Sequence, residues 1–325
     1  CPVRCSVRPG RVCLGQASFA ELAIRDRSVS RHGKTSVIVA AAVLAVFAAG
    51  LLFTLLSSRG RETPAEPTRV LKSDAEVLTK LAISESGDSL AAASSTGEVI
   101  VWSLPGRRST VLGQATGSAS TVLAWSPDGL LLGGDSSGLL RAWQQPDLEE
   151  SLIDSPRVPV TCCVFRQKFA NKQMLLGLSD GRIVQIDQSG TTLRDSGHRG
   201  VKAMLISSDQ SVLISAGSEG KLIWYDFKQD SVSGTTTEHQ TEIPALAWSP
   251  DGTHFVSADW NGELRLWHAN TRKLVASATQ PDAVSSLSWI GDRLVTGSWD
   301  GRIRVWTVEP NRIRLSSTIY TGQPI

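Results

Sequence analysis

Four carboxylates recur at matched places in this chain: Asp128, Asp180, Asp251 and Asp300. Acids beside histidines could perform general acid–base or metal-assisted hydrolysis, so their surroundings decide what they do. Each lies in a turn signature (SPDG at 126–129 and 249–252, SDG at 179–181, WDG at 299–301), where Asp bonds the local backbone. The five histidines are His32, His198, His239, His254 and His268, with no His-Glu-x-x-His pair among them. No phosphate-cradling glycine loop occurs in the sequence either. Cys1, Cys5 and Cys13 lack the paired spacing of a zinc site, and adjacent Cys162 and Cys163 fall in an expected strand, on opposite faces. No catalytic residue, cofactor or metal is expected from these patterns. A hydrolase with acids converging in space is the least favoured alternative.

The elements that must place these residues repeat. Short apolar runs end at Trp102, Trp143, Ile186, Tyr225, Trp267 and Trp306, about forty residues apart, each following an X-Gly turn. A strand and a Ser-Pro-Asp-Gly-like turn precede each run, a further strand lies between the turns, and a weaker strand follows the aromatic. The runs are continuously apolar or small, as in strands covered on both faces. Six four-stranded units, stacked radially, give an all-β propeller of four-stranded blades; seven blades is the rival count. Residues 68–72 or 312–320 are candidates for the outer strand that closes the ring.

These residues resemble the WD-repeat family over roughly residues 77–320: LAWSPDG within 122–129 and again within 244–252, the six X-Gly turns and the closing aromatics. The resemblance implies a buried hydrogen-bonded network in each blade, from a His, a Ser or Thr, a turn Asp and the Trp. Carried over, the fifth unit offers His239, Ser257, Asn261 and Trp267, with Asn in place of Asp. The sixth offers Thr296, Asp300 and Trp306 without a histidine, and the fourth His198, Ser215, Glu219 and Tyr225. It also implies that residues just before the turn acid lie on the top rim and meet partners. Those are Ser95, Ser136, Ser179, Ser218, Trp260 and Trp299, so two adjacent units present tryptophan where four present serine.

Before the repeats, residues 37–56 (VIVAAAVLAVFAAGLLFTLL) hold twenty residues without a charge, long enough at 1.5 Å per residue to cross a bilayer core of about 30 Å. The four expected segments are a basic N-terminal part at 1–36, a transmembrane helix at 37–56, a charged Pro-containing linker at 57–76, and the propeller at 77–325. Residues 1–35 carry a net charge of +5, which places the N-terminus in the cytoplasm and the propeller outside it. The chain's net charge is only +2 and no basic stripe alternates with aromatics, which argues against nucleic-acid binding. The favoured function is a membrane-anchored scaffold for protein partners. A second reading makes the chain the C-terminal sensor half of a larger membrane signalling protein such as a kinase.

Overall fold

A computed structural model describes residues 77–321, except 105–107, 114–116, 154–156 and 169–170, together with the pair Val37–Ile38. The described residues form six antiparallel four-stranded sheets in sequence order, spanning 77–113, 120–153, 160–195, 201–236, 245–279 and 284–320. This is the six-bladed all-β propeller. Arg312–Tyr320 is the outer strand of blade six, so each blade is one contiguous stretch of chain. Val37–Ile38 is extended and pairs in parallel with Val77–Leu78; residues 39–56 of the expected span, and the linker, lie outside the described residues. No described helix is long and apolar enough to cross a membrane.

Local chemistry explains the blade. At 249–252 the Ser249 hydroxyl donates to Asp251 at 2.6 Å and accepts the His254 N–H at 3.0 Å, which closes the first turn. Gly252 then takes a positive φ of 66°, a backbone state that favours glycine. The X-Gly turn has a second requirement. A side chain at Gly262 would meet the Gln280 carbonyl at 2.3 Å, and one at Gly220 the His239 carbonyl at 2.4 Å. Each such glycine is the seat for a loop residue of the next blade.

Apolar residues from facing blades interlock between these turns. Trp224 and Ile214 of blade four pack with Phe255 and Trp267 of blade five, while Val256 and Leu266 pack with Leu294 and Trp306 of blade six. The two cysteines divide as strand alternation requires. Cys162 joins the cluster toward blade four and Cys163 the cluster toward blade two, and both are free thiols. Burial pushes Cys162 up to about 12 and Cys163 upward too, so neither supplies a thiolate nucleophile.

Candidate binding rim and the network beneath it

The deepest polar group in blade five is a relay of four side chains. Trp267 Nε1, which can only donate, lies 2.8 Å from Ser257 Oγ. Ser257 lies 2.6 Å from His239 Nε2, and His239 Nδ1 is 3.1 Å from Asp259 Oδ2. The Asp259 carboxylate can only accept, so the ring N–H faces it from Nδ1, and Ser257 gives its own proton to Nε2. The acid is therefore Asp259, and the expectation for Asn261 is corrected: Asn261 is exposed and gives its backbone N–H to Asp259 Oδ1 at 3.0 Å. Two residues of reach explain the shift. Asp259 directly follows the second strand, His254–Ala258, and points inward, capping the turn through the N–H groups of Asn261 and Glu263 as well. Burial opposes its ionisation, but the His239 bond and these N–H groups outweigh burial and keep its pKa low.

Blade four solves the same problem from another position. His198 Nε2 meets Ser215 at 3.0 Å, and its Nδ1 meets Glu219 at 2.6 Å. Glu219 occupies the turn place that Asn261 holds in blade five. Gly217, at the place of Asp259, leaves it room: a side chain there would strike His198 Nδ1 at 2.3 Å and the Glu219 carboxylate at 2.5 Å. Tyr225 does not join; its hydroxyl meets Arg194 at 2.7 Å and Asp230.

In blade six, Trp306 Nε1 donates to Thr296 at 3.1 Å, and Thr296 donates to Gln280 Oε1 at 2.8 Å. Gln280 thus fills the histidine's place, which sequence spacing did not reveal. Its signal is the backbone seat on Gly262, shared with His239 on Gly220. Asp300 is corrected as a network member: it is gripped by Arg304 at 2.5 and 3.2 Å, with Arg302 at 3.3 Å.

The other turn acids are also engaged, Asp128 partly by the neighbouring blade. Asp128 bonds Lys172 and Ser126, Asp180 bonds Arg182, and Asp251 bonds Ser249 and Thr253. These donors hold Asp128 and Asp180 below the usual carboxylate range and draw Asp251 down to about 2. Burial resists ionisation of Asp300, but Arg304 outweighs it. None of the four is kept protonated as a general acid at neutral pH must be. His239, Asp259 and Glu263 bring ligand-type atoms within 4.8 Å of one another, the spacing of a metal site. Each is already occupied, His239 by Asp259 and Ser257, and Glu263 by Arg265 at 2.9 Å.

Above this network the surface changes character. Trp260 and Trp299, on the turns of adjacent blades, are 46% and 53% exposed. Their ring centroids are 5.8 Å apart at 40°, so the indoles lean on each other and leave their remaining surface to water. Backbone bonds fix both: Trp260 N–H to Glu242 O at 3.1 Å, and Trp299 N–H to Ala283 O at 3.3 Å. The geometry presents a preformed aromatic ledge spanning two blades, the kind of surface from which binding hot spots are built.

Residues 204–292 match the family model described as the anaphase-promoting complex subunit 4 WD40 domain. Actin-interacting protein 1 of Drosophila melanogaster is 33% identical over 102 residues, covering 30% of this chain and 17% of that protein. SIR4-interacting protein SIF2 of Saccharomyces cerevisiae is 24% identical over 191 residues, 53% of this chain and 35% of that one. The chain therefore spans about a third or less of these relatives. Among solved structures, a chain of the mitotic checkpoint complex superposes with a TM-score of 0.69 at 18% identity, covering 76% of this chain and 81% of that one. This likeness concerns the fold alone.

Proposed function

We propose that this six-bladed WD40-repeat propeller is a protein-interaction platform whose contact surface centres on Trp260 and Trp299. The observation that carries the reading is the exposed indole pair, which the blade network leaves unused. Indoles at solvent are unfavourable unless something covers them, and buried in an interface a single Trp often supplies 2 kcal/mol or more. Two relatives whose names describe them as interacting proteins give the same direction. We also propose that residues 37–56 tether the platform to a membrane, with the N-terminus in the cytoplasm and the propeller across the bilayer, an arrangement that requires Val37–Ile38 to leave its pairing with Val77–Leu78.

The test is crosslinking and affinity capture from intact membranes with the wild type and a Trp260→Ala, Trp299→Ala double variant. Capture of the wild type's partner falls at least thirtyfold in the variant, the equivalent of about 2 kcal/mol. Thermal unfolding stays close to wild type. Equal capture, or a collapse of stability, overturns the reading. Labelling of Cys13 by an impermeant thiol reagent from outside intact cells would overturn the proposed orientation.

A further inference from the structure

We propose that the partner segment received by the Trp260–Trp299 ledge is basic, with an arginine side chain laid on an indole face. The inference rests on the platform reading and adds the chemistry of the occupant. It begins with charge. The loops that carry and flank the ledge, residues 238–242, 259–263, 280–284 and 299–301, contain six acids and no Lys or Arg. The cations that approach come from the strands and are engaged. Arg304 lies on Asp300 with its side chain 4% exposed, and Arg302 also bonds Asp300. Arg265 is held between Glu238 at 3.1 Å and Glu263 at 2.9 Å, 13% exposed. Lys202 meets Glu242 at 2.9 Å.

Two acids remain turned to water. Glu238 keeps a side chain 54% exposed despite Arg265. Asp282 is exposed and accepts the Ala283 N–H at 2.7 Å, with no cation partner among the described residues. It adjoins Ala283, whose carbonyl holds the Trp299 backbone. Glu238 and Asp282 thus face solvent, whereas the Arg265 and Arg304 guanidinium groups are largely covered and the half-exposed Arg302 is turned to Asp300. The indole faces add to the same sign, because an aromatic quadrupole presents negative charge above the ring.

A guanidinium fits both features. It stacks flat on an indole, is weakly hydrated, and can bond a carboxylate with its remaining N–H groups. A neutral apolar segment would use the rings and leave the acids unanswered. An acidic segment would face like charge, which complementary interfaces avoid.

The experiment uses the full chain labelled with 5-fluorotryptophan in detergent micelles, read by fluorine NMR. Single Trp260→Phe and Trp299→Phe variants assign the two rim resonances. The probes are twelve-residue Gly/Ser peptides bearing two arginines, two glutamines or two glutamates. The arginine peptide shifts both rim signals at concentrations at least tenfold below those the other peptides need. Asp282→Asn with Glu238→Gln weakens it several-fold, and 0.5 M salt does the same. Equal or stronger shifts by the glutamine or glutamate peptide overturn the proposal. If no peptide shifts the rim while the double Trp→Ala variant still loses its partner, the basic occupant is refuted and the platform stands. If that variant keeps its partner, both readings fall.

Discussion

Blades four and five bury the same histidine–serine contact but complete it differently. In blade five the acid is Asp259, directly after the second strand, with no exposed side-chain surface; in blade four it is Glu219, two places later in the turn and 18% exposed. Blade five has the indole of Trp267 donating into its serine, whereas in blade four Tyr225 turns its hydroxyl away to Arg194 and Asp230. A longer side chain from a later position, together with a glycine at the earlier one, reproduces the contact made by a shorter one. The network is conserved as a geometry of donors and acceptors, and sequence position is only one way to meet it. The network of blade five therefore holds one bond more, the indole N–H of Trp267 on Ser257.

The sharpest way to break this comparison is to remove the indole. Trp267→Ala deletes a fully packed side chain that touches Trp224 and Phe255, and it strips Ser257 of its donor. We expect a loss of about 3–5 kcal/mol, the range for buried Trp or Phe truncation. Tyr225→Phe in blade four removes a hydroxyl whose partners are on the surface and lowers stability by less than about 1 kcal/mol. Urea unfolding of both variants, with the slope checked for two-state behaviour, measures the difference. Equal losses would mean that the packing and the bond of the indole together add nothing to blade five.

What the sequence could reveal follows from the same contrast. The repeat of turn and aromatic is a local pattern, so the six blades, their four strands and the alternation of Cys162 and Cys163 were legible. So was the departure of Trp260 and Trp299 from serine, because it needed only alignment of the six turns. The network acid was not. An acidic residue at either of two places can reach the histidine, and only the backbone direction at Asp259 and the space at Gly217 distinguish them. Gln280 was hidden for a related reason: a search for histidine overlooks a side chain whose amide oxygen accepts the same hydroxyl proton. Asp300 was misread because its strand neighbours Arg302 and Arg304 capture it, a competition invisible in a turn motif.

A smaller effect separates the blades by pH. Burial lowers the His198 pKa, with the Glu219 bond opposing only in part. The folded state therefore resists a proton that the unfolded chain accepts near pH 6.5, and the stability this provides is present above that pH. It declines as the pH falls below 6.5 toward the lowered folded value. The Glu219 pKa is also lowered: burial opposes ionisation, and the His198 bond and backbone N–H groups overcome it. Its contribution is lost at still lower pH, below about 4.5, with the same sign. Melting temperatures at pH 7.5 and 5.5 should thus fall in the wild type and fall less in a His198→Gln variant, since blade six shows glutamine accepting from the matching hydroxyl. An unchanged pH response in the variant would remove His198 as the source.

The smallest expected effect is the most decisive for the network's composition. Asn261 is exposed, and only its backbone N–H meets Asp259, a bond that any residue but proline supplies. Asn261→Ala should therefore change stability by no more than about 0.5 kcal/mol, as for surface positions free of special roles. Were Asn261 the acceptor for His239, its removal would strand a buried imidazole N–H and cost about 1–3 kcal/mol. The two assignments differ by more than a denaturation midpoint needs to resolve. A loss near the larger value would return the acceptor to Asn261 and undo the account of how blades four and five differ. A negligible one leaves Asp259 as the acid bonded to His239, and the turn position free to vary between a glutamate that works and an asparagine that does not.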